Sequence, residues 1–183
     1  MGRSACSHLP PIPEFAPPFY ETHDQGVLVH TDPFRFSPRD GPLYIDGSVI
    51  FPRQPLLSRG GWSIVQADQT SGQLLRALSV SLGAGIPARA IITEHLALWG
   101  SAQYAPPLQL EDGSSLLHTV AADCMAVVSA WAGGEAYATR HSYAMAGVMK
   151  QFYEGGERLS RALGTLRPTV PRERGLALKT ILI

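Results

Sequence analysis

Between Leu43 and Leu82 the apolar residues recur with the two-residue period of strands, and beyond Pro87 they recur at helical spacing. A chain that changes period in this way reads as strands followed by helices, in a mixed α/β domain. Leu43-Tyr44-Ile45-Asp46 reads as a short buried strand stopped by the turn dipeptide Gly47-Ser48. After a loop over residues 49–59 containing Pro52 and Pro55, Trp62–Gln66 and Leu78–Leu82 supply two more strands, joined by a turn from Asp68 to Gly72. Ile92, Leu96, Trp99 and Ala102 then share one face of a helix that Pro106-Pro107 ends. A turn at Asp112-Gly113 leads into a β-rich run from Leu116 to Ala122, followed by Asp123 and a helix marked by Met125, Val128 and Trp131. Gly133-Gly134 breaks that helix, and a third, Tyr143 to Tyr153, closes at Gly155-Gly156. The expected fold is α/β: a three-strand antiparallel meander plus a parallel strand, flanked by helices.

Proline sets the first boundary, because eight of the fifteen prolines fall within residues 1–42. That stretch reads as an extended, Pro-rich lead segment. Residues 43–156 hold the periodic elements, and 157–183 read as a basic, atypical tail. A length of 183 residues suits one core. Formal charge balances at zero, yet residues 150–183 carry seven Lys/Arg against three Glu, and the rest carries eight against twelve acids. Such a tail either contacts phosphates or is a solvated helix end. No window approaches the apolar length of a membrane span, and prolines interrupt the opening where a secretory signal needs its apolar stretch. Cys6 and Cys124 show no metal-ligand or disulfide spacing. The expectation is an intracellular protein, cytoplasmic or nuclear, neither secreted nor membrane-bound, and monomeric.

Three acids stand on otherwise hydrophobic elements. Asp46 ends the first strand, Glu94 lies about one turn into the first helix, and Asp123 closes the strand before the second helix. Each has an ordinary reading: Asp46 as a turn residue before glycine, Glu94 as a first-turn helix charge, Asp123 as an N-cap. Together they have another. A buried carboxylate costs several kcal/mol unless it is paired or bound to a cation, so three converging from three elements point to a divalent metal site.

The segments Leu43-Tyr44-Ile45-Asp46-Gly47-Ser48, Gly60-Gly61-Trp62-Ser63-Ile64-Val65, the helix with Glu94, and Ala121-Ala122-Asp123-Cys124 resemble the type 1 ribonuclease H domain, in the variety that accompanies retroelement reverse transcriptases. The resemblance spans roughly residues 43–153. It implies that Asp46, Glu94 and Asp123 are catalytic and hold metal, two Mg²⁺ about 4 Å apart in the family. The implied activity is endonucleolytic hydrolysis of the RNA strand of RNA/DNA hybrids, read through 2′-hydroxyls and helix shape rather than base identity. No small-molecule cofactor is implied.

The chain also departs from that pattern. The family's fourth carboxylate, an Asp near the start of a last helix after a fifth strand, has no counterpart, since Asp123 is the last Asp. The chain therefore reads as C-terminally incomplete, with four strands, and the second ion is expected to be weakly held. His141, before the third helix, reads as a helix-start residue rather than a proton shuttle, and Glu154 and Glu157 are the nearest substitutes for the missing ligand. Arg140 and Lys150 are the only basic candidates near the later helices, with Arg158, Arg161, Arg167, Arg172 and Arg174 beyond. Two function classes follow: an impaired ribonuclease H-type nuclease, or a catalytically inactive module of the same fold that binds nucleic acid or protein. A third reading, a nucleotide site at Gly83-Ala84-Gly85-Ile86-Pro87-Ala88, fails on context, because a dinucleotide fingerprint follows the first strand of a parallel unit and this one follows a meander.

Overall fold

The computed structural model describes residues 20–24, 27–29, 36–54, 56–68, 70–83, 86–154 and 163–168. In chain order the elements are β1 (Tyr20–Asp24), β2 (Val27–Val29), β3 (Leu43–Ile50), β4 (Arg59–Ala67), β5 (Leu74–Ser81), α1 (Ala90–Tyr104), β6 (Leu108–Gln109), β7 (Ser115–Leu116), β8 (His118–Ala122), α2 (Met125–Ala132), α3 (Gly134–Ala138), α4 (Ala146–Glu154) and β9 (Leu163–Pro168). Seven of the strands form one mixed sheet in the order β2-β1-β5-β4-β3-β8-β9. From β2 through β3 every pairing is antiparallel, and β3-β8 and β8-β9 are parallel. The expected meander and parallel strand are both present, with helices packed on the sheet.

Several boundaries differ, each for a physical reason. Gly47-Ser48 is strand, not turn: Asp46 pairs with Ser63, Gly47 with Trp62, and the ladder continues to Ile50 opposite Arg59. The chain reverses only after Phe51, which has a left-handed φ of 51°. Asp68 does close the next turn, accepting bonds from the Thr70 and Ser71 amides. The run read as a strand from Leu116 is divided, because Ser115–Leu116 pairs with Leu108–Gln109 in a separate two-stranded ribbon while His118–Ala122 enters the main sheet. The helix read from Tyr143 begins at Ala146, as α4, and Gly134, read as part of a break, starts the short helix α3.

The sheet also exceeds residues 43–156 in both directions. β1, in the Pro-rich lead, pairs along β5, and β9, in the stretch read as tail, adds a fifth strand to the four expected. Two features hid β9 in the sequence. Its buried residues, Leu163 and Leu166, lie three apart, and a register irregularity at His118/Thr119 accommodates that spacing. Its Pro168 is tolerated because β9 is an edge strand, where one face of the backbone needs no ladder donor. Cys6, Ala84-Gly85, Gly155-Gly156, Glu157, Arg158, Arg161, Arg172, Glu173 and Arg174 lie outside the described residues.

Most of the core lies between the sheet and the helices. Leu43, Ile45, Ile64, Leu78 and Val120 meet Ala97, Leu98, Ala102, Val127, Met149 and Phe152 there, and Tyr44, Val65, Ala67, Ala77 and Ala121 form a smaller cluster. The inner face of α1 is not the one the large apolar residues suggested. Ile92, Leu96 and Trp99 are half-buried, whereas Glu94, Ala97, Leu98, Ser101 and Ala102 are buried. Small residues face the strands because α1 lies close to them. A Cβ on Gly100 would collide with the Trp62 ring, and one on Gly47 would stand 2.5 Å from the Thr93 carbonyl carbon and collide with the Glu94 amide nitrogen.

The Gly47 contact is between backbones, so no side chain can swing away to relieve it. Gly47→Ala is expected to cost about 3 kcal/mol, the upper end of overpacking losses, measured as a lowered urea midpoint with an unchanged slope. A change within about 0.5 kcal/mol, ordinary for a surface site, would show that α1 lifts from β3 freely.

Candidate metal centre

Each carboxylate reaches the centre by a different backbone route. Asp46 lies within β3, whose first three residues Leu43, Tyr44 and Ile45 are all buried, as a strand covered on both faces requires. Asp123 follows β8, and the parallel register that sets Ile45 against Ala122 brings residues 46 and 123 out at the same edge of the sheet. Glu94 is the fifth residue of α1 and arrives from above, where the missing Cβ of Gly47 lets the helix backbone approach. One carboxylate oxygen from each of the three residues lies within 4.8 Å of the others. Asp46 and Glu94 are buried at 8% exposure each, and Asp123 is exposed.

The ordinary readings of these acids do not fit their positions. Asp46 is inside a ladder rather than in a turn, and Glu94 is buried past the first turn of its helix. Asp123 is not the cap of α2: Cys124 takes that position, without a side-chain capping bond.

Burial and repulsion dominate the electrostatics. Desolvation, then the charges of Asp46 and Asp123, push the Glu94 carboxyl up to about 9. Desolvation and the Asp123 charge raise Asp46 as well, opposed by hydrogen bonds from the Glu94 side chain and the Gly47 amide. Near neutral pH the pair therefore shares a proton, with Glu94 as the protonated member donating to Asp46. The second Glu94 oxygen, Oε2, is buried with no hydrogen-bond partner. An unpartnered buried acceptor beside two more carboxylates is unfavourable for the protein alone and suits a hard cation, which takes oxygen ligands and relieves the repulsion. The three acids could hold a metal ion.

Other sequence candidates stand elsewhere. Glu154 is exposed and 3.4 Å from Lys150, in an i,i+4 pair on α4, and is not one of the clustered acids. His141 is exposed, and the Arg140 guanidinium lies 4.0 Å from the centre of the Tyr137 ring. Two residues that no sequence motif marks also stand beside the centre. His95, adjacent to Glu94, is fully buried; its Nδ1 is 2.7 Å from the Ile91 carbonyl and its Nε2 is 2.7 Å from the Tyr143 hydroxyl. That hydroxyl also donates to the Ala126 carbonyl at 3.0 Å. A buried His on an apolar helix was visible in the sequence, but its partner 48 residues away was not.

Linkage gives a direct test of the shared proton. Because Glu94 titrates near 9 in the folded state and near 4.5 when unfolded, folding favours its protonated form. That contribution is full below about 4.5 and is lost as pH rises toward 9. In chelator, the stability difference between the parent and Glu94→Gln should move against the parent across that interval. Millimolar Mg²⁺ should raise the parent melting temperature, more at alkaline than at mildly acidic pH since ligation displaces the proton. Asp123→Asn should abolish the Mg²⁺ shift; an undiminished shift would place the ion elsewhere.

Comparison of the chain with protein-family models, with curated proteins and with solved structures finds no match.

Proposed function

We propose that this chain is a ribonuclease H-like domain, a metal-dependent endonuclease acting on the RNA strand of RNA/DNA hybrids. The observation that carries the reading is the convergence of Asp46, Glu94 and Asp123 from the first meander strand, the first helix and the end of the following parallel strand. The sequence resemblance assigns its three carboxylates to those same three places, and β9 supplies a fifth strand where the resemblance implies one.

Asp46, Glu94 and Asp123 would hold Mg²⁺ through carboxylate oxygens, a hard donor set suited to that ion. When bound, such an ion supplies Lewis acidity toward an attacking water and toward the leaving oxygen of a phosphodiester. The protein's own residues prepare for this in two ways. The Gly47 amide favours the charged form of both buried carboxyls, against the larger effect of their burial. Glu94 keeps a proton until a cation displaces it, which limits the charge repulsion that the metal-free fold must bear. Asp123, exposed at the mouth, is the carboxylate nearest to solvent and to an incoming backbone phosphate.

Among the described residues the clustered group contains three acids and not four, which favours weak turnover and keeps a non-cleaving hybrid binder as the second reading. Loss of one group stabilising developing charge costs on the order of 3–4 kcal/mol, about two to three decades in rate. Single-turnover assays on a labelled hybrid in Mg²⁺ should accordingly show slow cleavage that Asp46→Asn removes, with filter binding run alongside. Binding without any cleavage would select the second reading. Neither binding nor cleavage would overturn both.

A further inference from the structure

The three acids define a triangle, and the backbone determines two of its sides. The Asp46–Glu94 side follows from the approach of α1 to Gly47, and the Asp46–Asp123 side from the parallel register of β3 and β8. Neither contact sets the Glu94–Asp123 side, which depends on how α1 sits against the start of α2. Local capping does not determine it, because neither helix has a side-chain N-cap bond.

One partly buried bridge spans that gap. His95 follows Glu94 directly, so its ring leaves α1 about 100° around the helix from the carboxylate. Its Nδ1 donates to the Ile91 carbonyl one turn back, which fastens the imidazole to α1 and leaves Nε2 as an acceptor. The Tyr143 hydroxyl meets Nε2 at 2.7 Å and the Ala126 carbonyl at 3.0 Å, sharing its one proton between them. Ala126 is the second residue of α2, three positions after Asp123. The phenol is itself held, packed 5.8 Å from the His95 ring and 5.9 Å from that of Tyr137, whose ring lies against Gly133 at the end of α2.

We infer that Tyr143 is a positioning residue for the metal centre: through His95 and the Ala126 carbonyl it sets the spacing of Glu94 and Asp123, and hence cation affinity. The inference rests on the metal-dependent reading above and adds to it a determinant that touches no ligand. Partners hydrogen-bonded directly to metal ligands commonly change affinity by ten- to a hundredfold when removed, and Tyr143, one contact further out, is expected to act at the lower end of that range.

The test uses Mn²⁺ as the probe, with bound ion measured by electron paramagnetic resonance on the full chain, so that no cleavage is required. Tyr143→Phe keeps the ring and removes the bridge; it should bind Mn²⁺ at least tenfold more weakly while still unfolding cooperatively. Phe152→Leu, a buried change in α4, should lower thermal stability and leave the affinity as in the parent. His95→Gln, whose amide can reach the Nε2 position, should retain more affinity than His95→Leu, and this pair decides the matter if Tyr143→Phe does not fold. Equal affinity in the parent and Tyr143→Phe would overturn the positioning role, as would an equal loss in Phe152→Leu. Parent binding that survives Asp46→Asn would instead overturn the metal centre itself, and the positioning role with it.

Discussion

The absence of one side chain governs the rest of the site. At Gly47 the backbone of α1 lies where a Cβ would be, against the Thr93 carbonyl carbon and the Glu94 amide. A helix normally stands off a sheet by the thickness of two layers of side chains, and at that distance Glu94 would not reach Asp46. Removing the layer at a single strand position lets the helix come down there, and the small residues Ala97, Gly100 and Ser101 continue the close contact along α1. The buried face of α1 is therefore poor in large apolar groups even though Leu96 and Trp99 are available on its flank.

Close approach has an electrostatic consequence. Asp46 and Glu94 are buried side by side with Asp123 near enough to repel both, and the metal-free fold answers by retaining a proton rather than by recruiting a cation from its own side chains. Among the described residues the ion pairs lie elsewhere: Arg76 with Asp40 at 2.7 Å, and Lys150 with Glu154. A lysine or arginine at the centre would satisfy the carboxylates permanently and exclude a cation. The unpartnered Glu94 Oε2 instead leaves an acceptor available. The arrangement is less stable than a neutralised one and better suited to binding, a familiar compromise at sites that exchange ligands.

The surrounding sheet secures the geometry on which this depends. β3 carries Asp46 inside a seven-stranded sheet, with four strands on the side of β4 and two on the side of Asp123. β9 covers the outer edge of β8, so the strand that delivers Asp123 is hydrogen-bonded on both sides. The Pro-rich lead contributes as well, since β1 pairs with β5 from Arg76 to Val80. Strands on either side of residues 43–156, β1 and β2 before them and β9 after, thus belong to the sheet, although none shows the alternation from which strands are read.

Local residue order was enough to reveal the meander, the first helix, the strand before Asp123 and the identity of the three acids, because period, turn residues and acids on apolar elements are properties of neighbours in sequence. Tertiary structure decided what depends on residues far apart in the chain. Gly47 followed by Ser48 looks like a turn until β4 pairs through it and α1 settles on it; then glycine is required for lack of bulk rather than for flexibility. β9 has a three-residue spacing of its buried leucines that only the irregular register with β8 explains. The bridge from His95 through Tyr143 to Ala126 joins residues from three separate segments, and nothing in their local patterns marks them as partners. Period and composition report what a segment can bury, whereas register and close approach, which place carboxylates within 4.8 Å of one another, arise only when segments meet.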